Sequence, residues 1–91
     1  MHSTQVTVGS SSGLHARPAS LFVQAATARQ PVKVTVGRPG QTPVDARSLL
    51  SVLALAARSG DVLELTASGD GAEDALRALA DLLASDLDAA A

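Results

Sequence analysis

The sequence predicts an α+β fold, a two-layer open-faced sandwich in which three helices cover one face of a four-stranded antiparallel sheet. Four segments alternate apolar and polar residues as half-buried strands do, and three repeat apolar residues at the spacing of an amphipathic helix. A chain of 91 residues is long enough for one modest core. We therefore expect residues 1–91 to form a single domain with the element order β-α-β-β-α-β-α.

The first strand is predicted over Gln5–Gly9, where Val6 and Val8 share one face. The first helix is predicted over Ala16–Ala28. Pro18 fits its first turn, because a residue there has no helical partner for an N–H group. The positions predicted to face the core are Ala19, Phe22, Val23 and Ala26.

Two strands and a helix follow. Pro31–Gly37 alternates valines with polar residues and predicts the second strand. After a turn over Arg38–Gln41, Thr42–Asp45 predicts a short third strand. It should lie at the edge of the sheet because Pro43 lacks an N–H group. The second helix is predicted over Ser48–Ala57.

The last two elements are a strand over Asp61–Ala67 and a helix over Ala72–Ser85. The helical positions predicted to face the core are Ala72, Ala75, Leu76, Leu79, Leu82 and Leu83. We expect the alanine-rich tail that follows to fray.

Composition excludes several classes of protein. The chain has one Phe and no Trp or Tyr, so the core must be built from Val, Leu and Ala, and the aromatic rings on which single-stranded nucleic acid stacks are missing. Without cysteine it has no disulfides and no thiolate chemistry. No signal-peptide pattern and no apolar run of membrane-spanning length occurs. We expect a cytoplasmic protein that binds neither nucleic acid nor membranes.

Charge is unevenly distributed along the chain. Residues 1–44 carry four cations and no acid, whereas residues 61–91 carry eight acids and one cation. This asymmetry predicts a positive region around His15 that meets an anion or an acidic partner. Chance clustering on solvated faces would give the same distribution.

The second predicted helix is apolar on nearly every side. Burying Val52 and Leu55 suffices to hold a short helix on a sheet, which leaves other leucines partly exposed, and Leu21 lies off the inward stripe of the first helix. Exposed apolar clusters often mark partner-docking surfaces. The residues of this predicted patch are Leu21, Leu49, Leu50 and Leu53. A deeply sunk helix would bury them instead.

His15 is the candidate functional residue, and two chemistries fit it poorly. A metal site lacks ligands, because the other histidine is His2 near the terminus and no carboxylate is close in sequence. A serine hydrolase built on Ser12 and His15 needs a buried acid to orient the ring, and the acid nearest in sequence is Asp45.

A phosphate site fits the surroundings of His15 better. The residue directly precedes a predicted helix, whose first N–H groups and partial positive charge favour phosphate. Arg17 adds a cation that can bind two phosphoryl oxygens, and Gly13 lets the backbone approach an anion closely. A neutral imidazole is an available nucleophile at neutral pH. These residues predict a phosphoryl group carried on a ring nitrogen, with no metal or other cofactor required.

At these residues the chain resembles a known family. "GLHARPAS" (Gly13–Ser20) resembles the active-site signature of HPr, the histidine-containing phosphocarriers of the bacterial phosphoenolpyruvate-dependent sugar phosphotransferase system. "RSLLSVLALA" (Arg47–Ala56) resembles the HPr segment around a regulatory serine. The resemblance covers the whole chain, and the predicted element order agrees with it.

The resemblance implies a role for particular residues. Members of the family accept a phosphoryl group from Enzyme I, on Nδ1 of the histidine that His15 matches, and pass it to IIA domains of sugar transporters. Arg17 matches the arginine that contacts this group, and Ser12 and Ala16 fall at further phosphate-contacting positions. Ser48 matches the serine that an ATP-dependent HPr kinase/phosphorylase modifies in many Gram-positive bacteria.

The resemblance also implies a monomer that docks both partners on the apolar patch, with Arg47 beside it. The chain departs from many regulated members at Leu50 and Leu53, where they have Met, and at Ala56, where Gly is frequent. Leucine keeps the surface apolar but lacks the adaptable thioether, so these departures bear on the kinase more than on docking.

Two alternatives remain open. One is a carrier of the same fold in a nitrogen-type or purely regulatory phosphorelay. The other is a non-catalytic binding module whose leucine patch docks a transcription factor. Retention of both His15 and Arg17 argues against the second.

Overall fold

The computed structural model of the protein describes residues 1–86. Within them the predicted order of elements is confirmed. The strands and helices are β1 (His2–Thr7), α1 (Ala16–Thr27), β2 (Lys33–Gly37), β3 (Val44–Asp45), α2 (Leu49–Ala54), β4 (Val62–Ser68) and α3 (Ala72–Ala84). The tail predicted to fray lies outside the described residues. No helix within residues 1–86 combines the length and apolar character needed to cross a membrane.

The four strands form one antiparallel sheet in the order β1-β4-β2-β3. Strand β4 is central, with Leu63 opposite Val6 on β1 and Leu65 opposite Val36 on β2. These apolar residues are buried beneath the helices, while alternate residues such as Glu64 face the open side. The predicted open-faced sandwich is confirmed, and β3 lies at the edge of the sheet as predicted, although it begins only after Pro43.

The core is built from Val, Leu, Ala and one aromatic ring, as composition predicted. Phe22 on α1 is fully buried and belongs to one core cluster with residues from every helix and from the three longer strands. Burial of a side chain of this size contributes roughly 1.5–3 kcal/mol to stability. Among the positions predicted to face the core, Val23 and Leu82 are only half-buried.

Two boundaries differ from the prediction by three residues, and the others by at most two. Strand β1 begins at His2 rather than Gln5, because pairing continues from Thr7 opposite Val62 to His2 opposite Ala67 on β4. Its first residues are polar and carry no apolar signal. Helix α2 ends at Ala54, and Leu55, predicted to be buried, is half-buried beyond its end.

The end of α3 packs against the loop that leads to the candidate site. The N–H group of Gly9 donates a hydrogen bond to the Leu83 carbonyl at 2.9 Å. The backbone of Ala84 fills the place that a side chain at Gly9 would occupy. A glycine is therefore needed at this crossing, and α3 helps to fix the segment between β1 and α1.

Candidate functional site

The loop before α1 is shaped by a tight turn around Gly13. The Gly13 N–H group donates to the Ser10 carbonyl at 3.0 Å, and Gly13 has φ +82°, a conformation that favours glycine. A Cβ atom there would lie 2.8 Å from the Ala57 carbonyl oxygen and 3.1 Å from Cα of Arg58. Gly13 thus lets this loop lie directly against the segment that follows α2.

Leu14 stabilises the same contact between the loop before α1 and the segment that follows α2. Its N–H group donates to the Ala57 carbonyl at 2.8 Å, and its side chain is buried with 3% of its area exposed. Leu14 therefore packs inward, into the core. The backbone one residue before His15 is therefore held by a hydrogen bond and by core packing.

His15 is the N-cap residue of α1. Its backbone is extended, with φ −101° and ψ −161°, and its carbonyl accepts a hydrogen bond from the Ala19 N–H group at 2.9 Å. The imidazole makes no capping hydrogen bond and the residue is exposed. The side chain therefore presents its ring at the surface beside the first turn of a helix, where backbone N–H groups have no helical acceptor.

The electrostatics of this helix start favour an anion. The first turn of α1 contains no acidic residue, and exposed Arg17 adds a positive charge to that of the helix terminus. Ala16 is the first helical residue and is exposed, as is Ser12 in the preceding turn. The structure thus exposes four residues at or just before one helix start: Ser12, His15, Ala16 and Arg17.

The leucine patch is confirmed as partly exposed. Leu21 is 37% exposed, Leu49 39% and Leu50 80%, while Leu53 is half-buried against the core. Val52, on the same short helix, is completely buried. Helix α1 packs against α2, so the patch adjoins the helix that begins at His15. The deeply sunk alternative is wrong for Leu49 and Leu50.

Ser48 is the N-cap residue of α2. Its Oγ accepts a hydrogen bond from the Ser51 N–H group at 3.3 Å and lies 3.0 Å from the Ser51 Oγ, to which it donates. Ser48 is half-buried, so part of its surface faces solvent at the edge of the leucine patch.

Arg47 is held by the carboxylate of Asp45. Its Nε and Nη2 donate to Oδ1 and Oδ2 of Asp45, each at 3.2 Å. These side-chain hydrogen bonds are the largest cause that lowers the pKa of Asp45. Because Asp45 binds Arg47 in this way, the acid nearest to His15 in sequence already has a partner.

Asp86 was not singled out from the sequence. Its Oδ1 accepts hydrogen bonds from the N–H group of Ser11 at 3.1 Å and from the Ser11 hydroxyl at 3.3 Å. The two residues are 75 positions apart, so no local pattern could have indicated the contact. Asp86 connects the end of α3 to the loop before His15. Across residues 1–86, no group of three or more His, Asp or Glu side chains is placed to hold a metal ion.

Known proteins resemble this chain over nearly its whole length. The family model described as the PTS HPr component phosphorylation site matches residues 2–85. Phosphocarrier protein HPr of Streptomyces coelicolor is 48% identical over 88 residues, which cover 97% of this chain and 94% of that protein. The HPr of Pseudomonas aeruginosa is 40% identical over 83 residues, 91% of each chain. The crystal structure of an HPr from Bacillus anthracis has a TM-score of 0.83 at 36% identity, covering 90% of this chain and 95% of that one.

Proposed function

Because this chain belongs to the HPr family of phosphocarriers of the phosphotransferase system, we propose that it accepts a phosphoryl group from Enzyme I on His15 and passes it to IIA domains of sugar transporters. The observation that carries this proposal is the placement of His15. His15 is exposed at a helix start, so a partner protein can reach the imidazole.

The transfer needs a nucleophile and no metal ion or bound cofactor. The neutral ring uses the electron pair of Nδ1 to form a bond to phosphorus, and the bond between phosphorus and the donor atom breaks with its electron pair left on the donor. Transfer to the IIA domain repeats the exchange with His15 as the leaving group. The fold contributes a ring whose backbone is fixed through Leu14.

Groups around the ring stabilise the charge that passes through the transition state. The Arg17 guanidinium is always protonated and can donate to two phosphoryl oxygens at once. Backbone N–H groups at Ala16 and Arg17 face the same end of the helix, and Ser12 offers a hydroxyl. Because the backbone N–H groups are fixed by the helix before the phosphoryl group arrives, they stabilise its charge without reorganisation.

The leucine patch is proposed to dock both partners. Leu21, Leu49 and Leu50 are exposed on the two helices that pack together beside His15, and Leu53 extends the patch towards the core. Arg47 lies next to Ser48 at one end of it. One apolar surface next to the acceptor would allow donor and acceptor proteins to bind in turn.

Ser48 is proposed as a regulatory site for an HPr kinase/phosphorylase. It borders the patch and is half-buried, with Leu49 and Leu50 following it directly. A phosphate there adds about −1.5 to −2 charges. Desolvation of that charge at a docking surface would oppose binding of Enzyme I, although the helix start itself tolerates an anion well.

A reconstituted relay tests the proposal. Enzyme I, labelled phosphoenolpyruvate and a IIA domain are mixed with and without this protein, and we expect label in IIA only when the protein is present. His15→Ala should abolish transfer, and His2→Ala, which removes the other histidine, should leave it unchanged. Undiminished transfer through His15→Ala would refute the assignment. Charging of the protein without transfer to any IIA domain would indicate a regulatory phosphorelay instead.

A further inference from the structure

The structure assigns a positioning role to Arg38, a residue remote in sequence from the phosphoryl-acceptor loop. We propose that its guanidinium holds the segment between α2 and β4, residues 55–61, in the conformation on which the loop before His15 rests. The inference builds on the proposed phosphocarrier function, because it concerns where the acceptor ring is placed.

Arg38 directly follows β2 and reaches across to both ends of this segment. Its Nη2 donates to the carbonyl oxygens of Leu55 at 3.0 Å and Ala56 at 3.3 Å. Its Nη1 donates to Oδ2 of Asp61 at 3.1 Å. The same Asp61 oxygen accepts a hydrogen bond from the Arg58 N–H group at 2.9 Å. The Arg38 side chain thus connects the start and the end of the segment, and Asp61 connects that end to Arg58 in the middle.

The segment needs such support because α2 ends abruptly. The last carbonyl groups of a helix receive no hydrogen bond from a following helical turn. The carbonyl groups beyond Ala54 must therefore find N–H donors elsewhere. Ala56 has φ +51°, a left-handed conformation that is unfavourable for a residue with a Cβ atom. A guanidinium supplies several N–H donors in a fixed planar arrangement, which suits two adjacent carbonyls and a carboxylate.

From there the connection to His15 is short. Ala57 follows Ala56, and its carbonyl accepts the hydrogen bond from the Leu14 N–H group at 2.8 Å. Gly13 lies against the same carbonyl and against Cα of Arg58. A shift of residues 55–58 would therefore move the backbone immediately before His15. Misplacement of a reacting group by about 1 Å can slow a reaction by about 100-fold.

The leucine patch should be less affected than the ring. Its exposed members on α2 lie near the start of that helix, which is fixed by the Ser48 cap and by completely buried Val52. Loss of Arg38 should therefore lower kcat for phosphoryl transfer while KM for Enzyme I changes little. A role confined to overall stability would not divide the kinetic constants in this way.

The test compares Arg38→Met with Arg38→Lys and with Arg29→Met, a control that removes the same charge from an exposed residue beyond the end of α1. Hydrogen exchange of the Leu14 amide is measured well below the melting temperature, and transfer from Enzyme I is followed at saturating and limiting concentrations. For Arg38→Met we expect Leu14 exchange at least about fivefold faster and kcat at least about fivefold lower, with KM within about twofold. Arg38→Lys should restore part of the protection of the Leu14 amide and part of kcat, since one ammonium group replaces only some of the guanidinium contacts. Arg29→Met should match the wild type.

The two arms keep this inference separate from the proposed function. If Arg38→Met leaves Leu14 exchange at the wild-type rate, the positioning role is refuted. A uniform rise in exchange at core amides such as that of Leu65 would refute it too, because that result shows general destabilisation. A wild-type protein that takes no phosphoryl group would refute the proposed function, and the exchange arm would still decide the role of Arg38.

Discussion

Ala56 offers a stability test in which the expected change is a gain. It is the one residue other than glycine with a positive φ among residues 1–86, at +51°, and it is exposed just beyond α2. Replacement by glycine removes the Cβ atom that makes this conformation unfavourable. No buried contact is lost, because the alanine methyl group faces solvent.

The expected gain in the free energy of unfolding of Ala56→Gly is the difference between two opposing effects. A left-handed conformation costs a residue with a Cβ atom about 1–2 kcal/mol relative to the right-handed one. Glycine gives back about 0.4–1 kcal/mol of this through the greater freedom of its unfolded chain. Ala56→Gly should therefore raise the free energy of unfolding by about 0.5–1 kcal/mol. For a domain of this size, that corresponds to an increase in Tm of about 2–8 °C.

Urea and thermal unfolding, followed by circular dichroism, measure the change. The midpoint should rise at an unchanged m-value, since the folded state and the area exposed on unfolding stay the same. Ala54→Gly is the matched control, because Ala54 is also exposed and is the last helical residue of α2. There glycine should lower the free energy of unfolding by about 0.5–1 kcal/mol. If both variants are destabilised alike, Ala56 does not have the left-handed conformation and the support assigned to Arg38 loses its reason.

Three further predictions concern charge. Arg17→Ala should slow phosphoryl transfer by more than about tenfold, since about 1.4 kcal/mol of transition-state stabilisation corresponds to a tenfold change in rate. Its free energy of unfolding, measured with urea, should change by no more than about 0.5 kcal/mol. Ser48→Asp should raise KM for Enzyme I with Tm equal or higher, because Asp caps a helix as well as Ser does. Ser48→Ala should instead lose about 1 kcal/mol of stability. Hydrogen bonds from the Arg58 N–H group and from Arg38 lower the pKa of Asp61. The stabilising contribution of Asp61 is therefore complete above its unfolded pKa of about 3.9 and is lost as the pH falls through the lower folded pKa. Urea unfolding of the wild type and of Asp61→Asn is measured from pH 7 to pH 2. The difference in free energy of unfolding between the two proteins should shrink at the acid end of this range.

The sheet could be predicted from the sequence because its signal is local. Alternation around Val34 and Leu65 identifies the buried face of these two strands, which the structure pairs antiparallel. The start of β1 could not be predicted, since His2 and Ser3 are held by pairing with β4 and carry no apolar pattern. The end of α2 was missed for a different reason. Leu55 continues the apolar pattern, but it lies beyond the end of the helix.

The candidate site likewise has local features, which could be predicted, and long-range contacts, which could not. The phosphate site could be predicted because its residues lie close together in the sequence. The structure places Gly13, His15 and Arg17 at one helix start. The contacts that hold this loop come from distant parts of the chain. Ser11 binds Asp86 across 75 positions, and Leu14 binds the carbonyl of Ala57. Such contacts depend on how the layers pack, which local spacing does not encode.

The central claim is that the exposed ring of His15 carries the phosphoryl group. The most direct measurement is the intact mass of the protein after incubation with Enzyme I and phosphoenolpyruvate, repeated after brief acid treatment. We predict a single phosphoryl adduct on the wild type that acid removes, as expected of a phosphorus–nitrogen bond, and no adduct on His15→Ala. An acid-stable adduct, or an equal adduct on His15→Ala, would contradict the account.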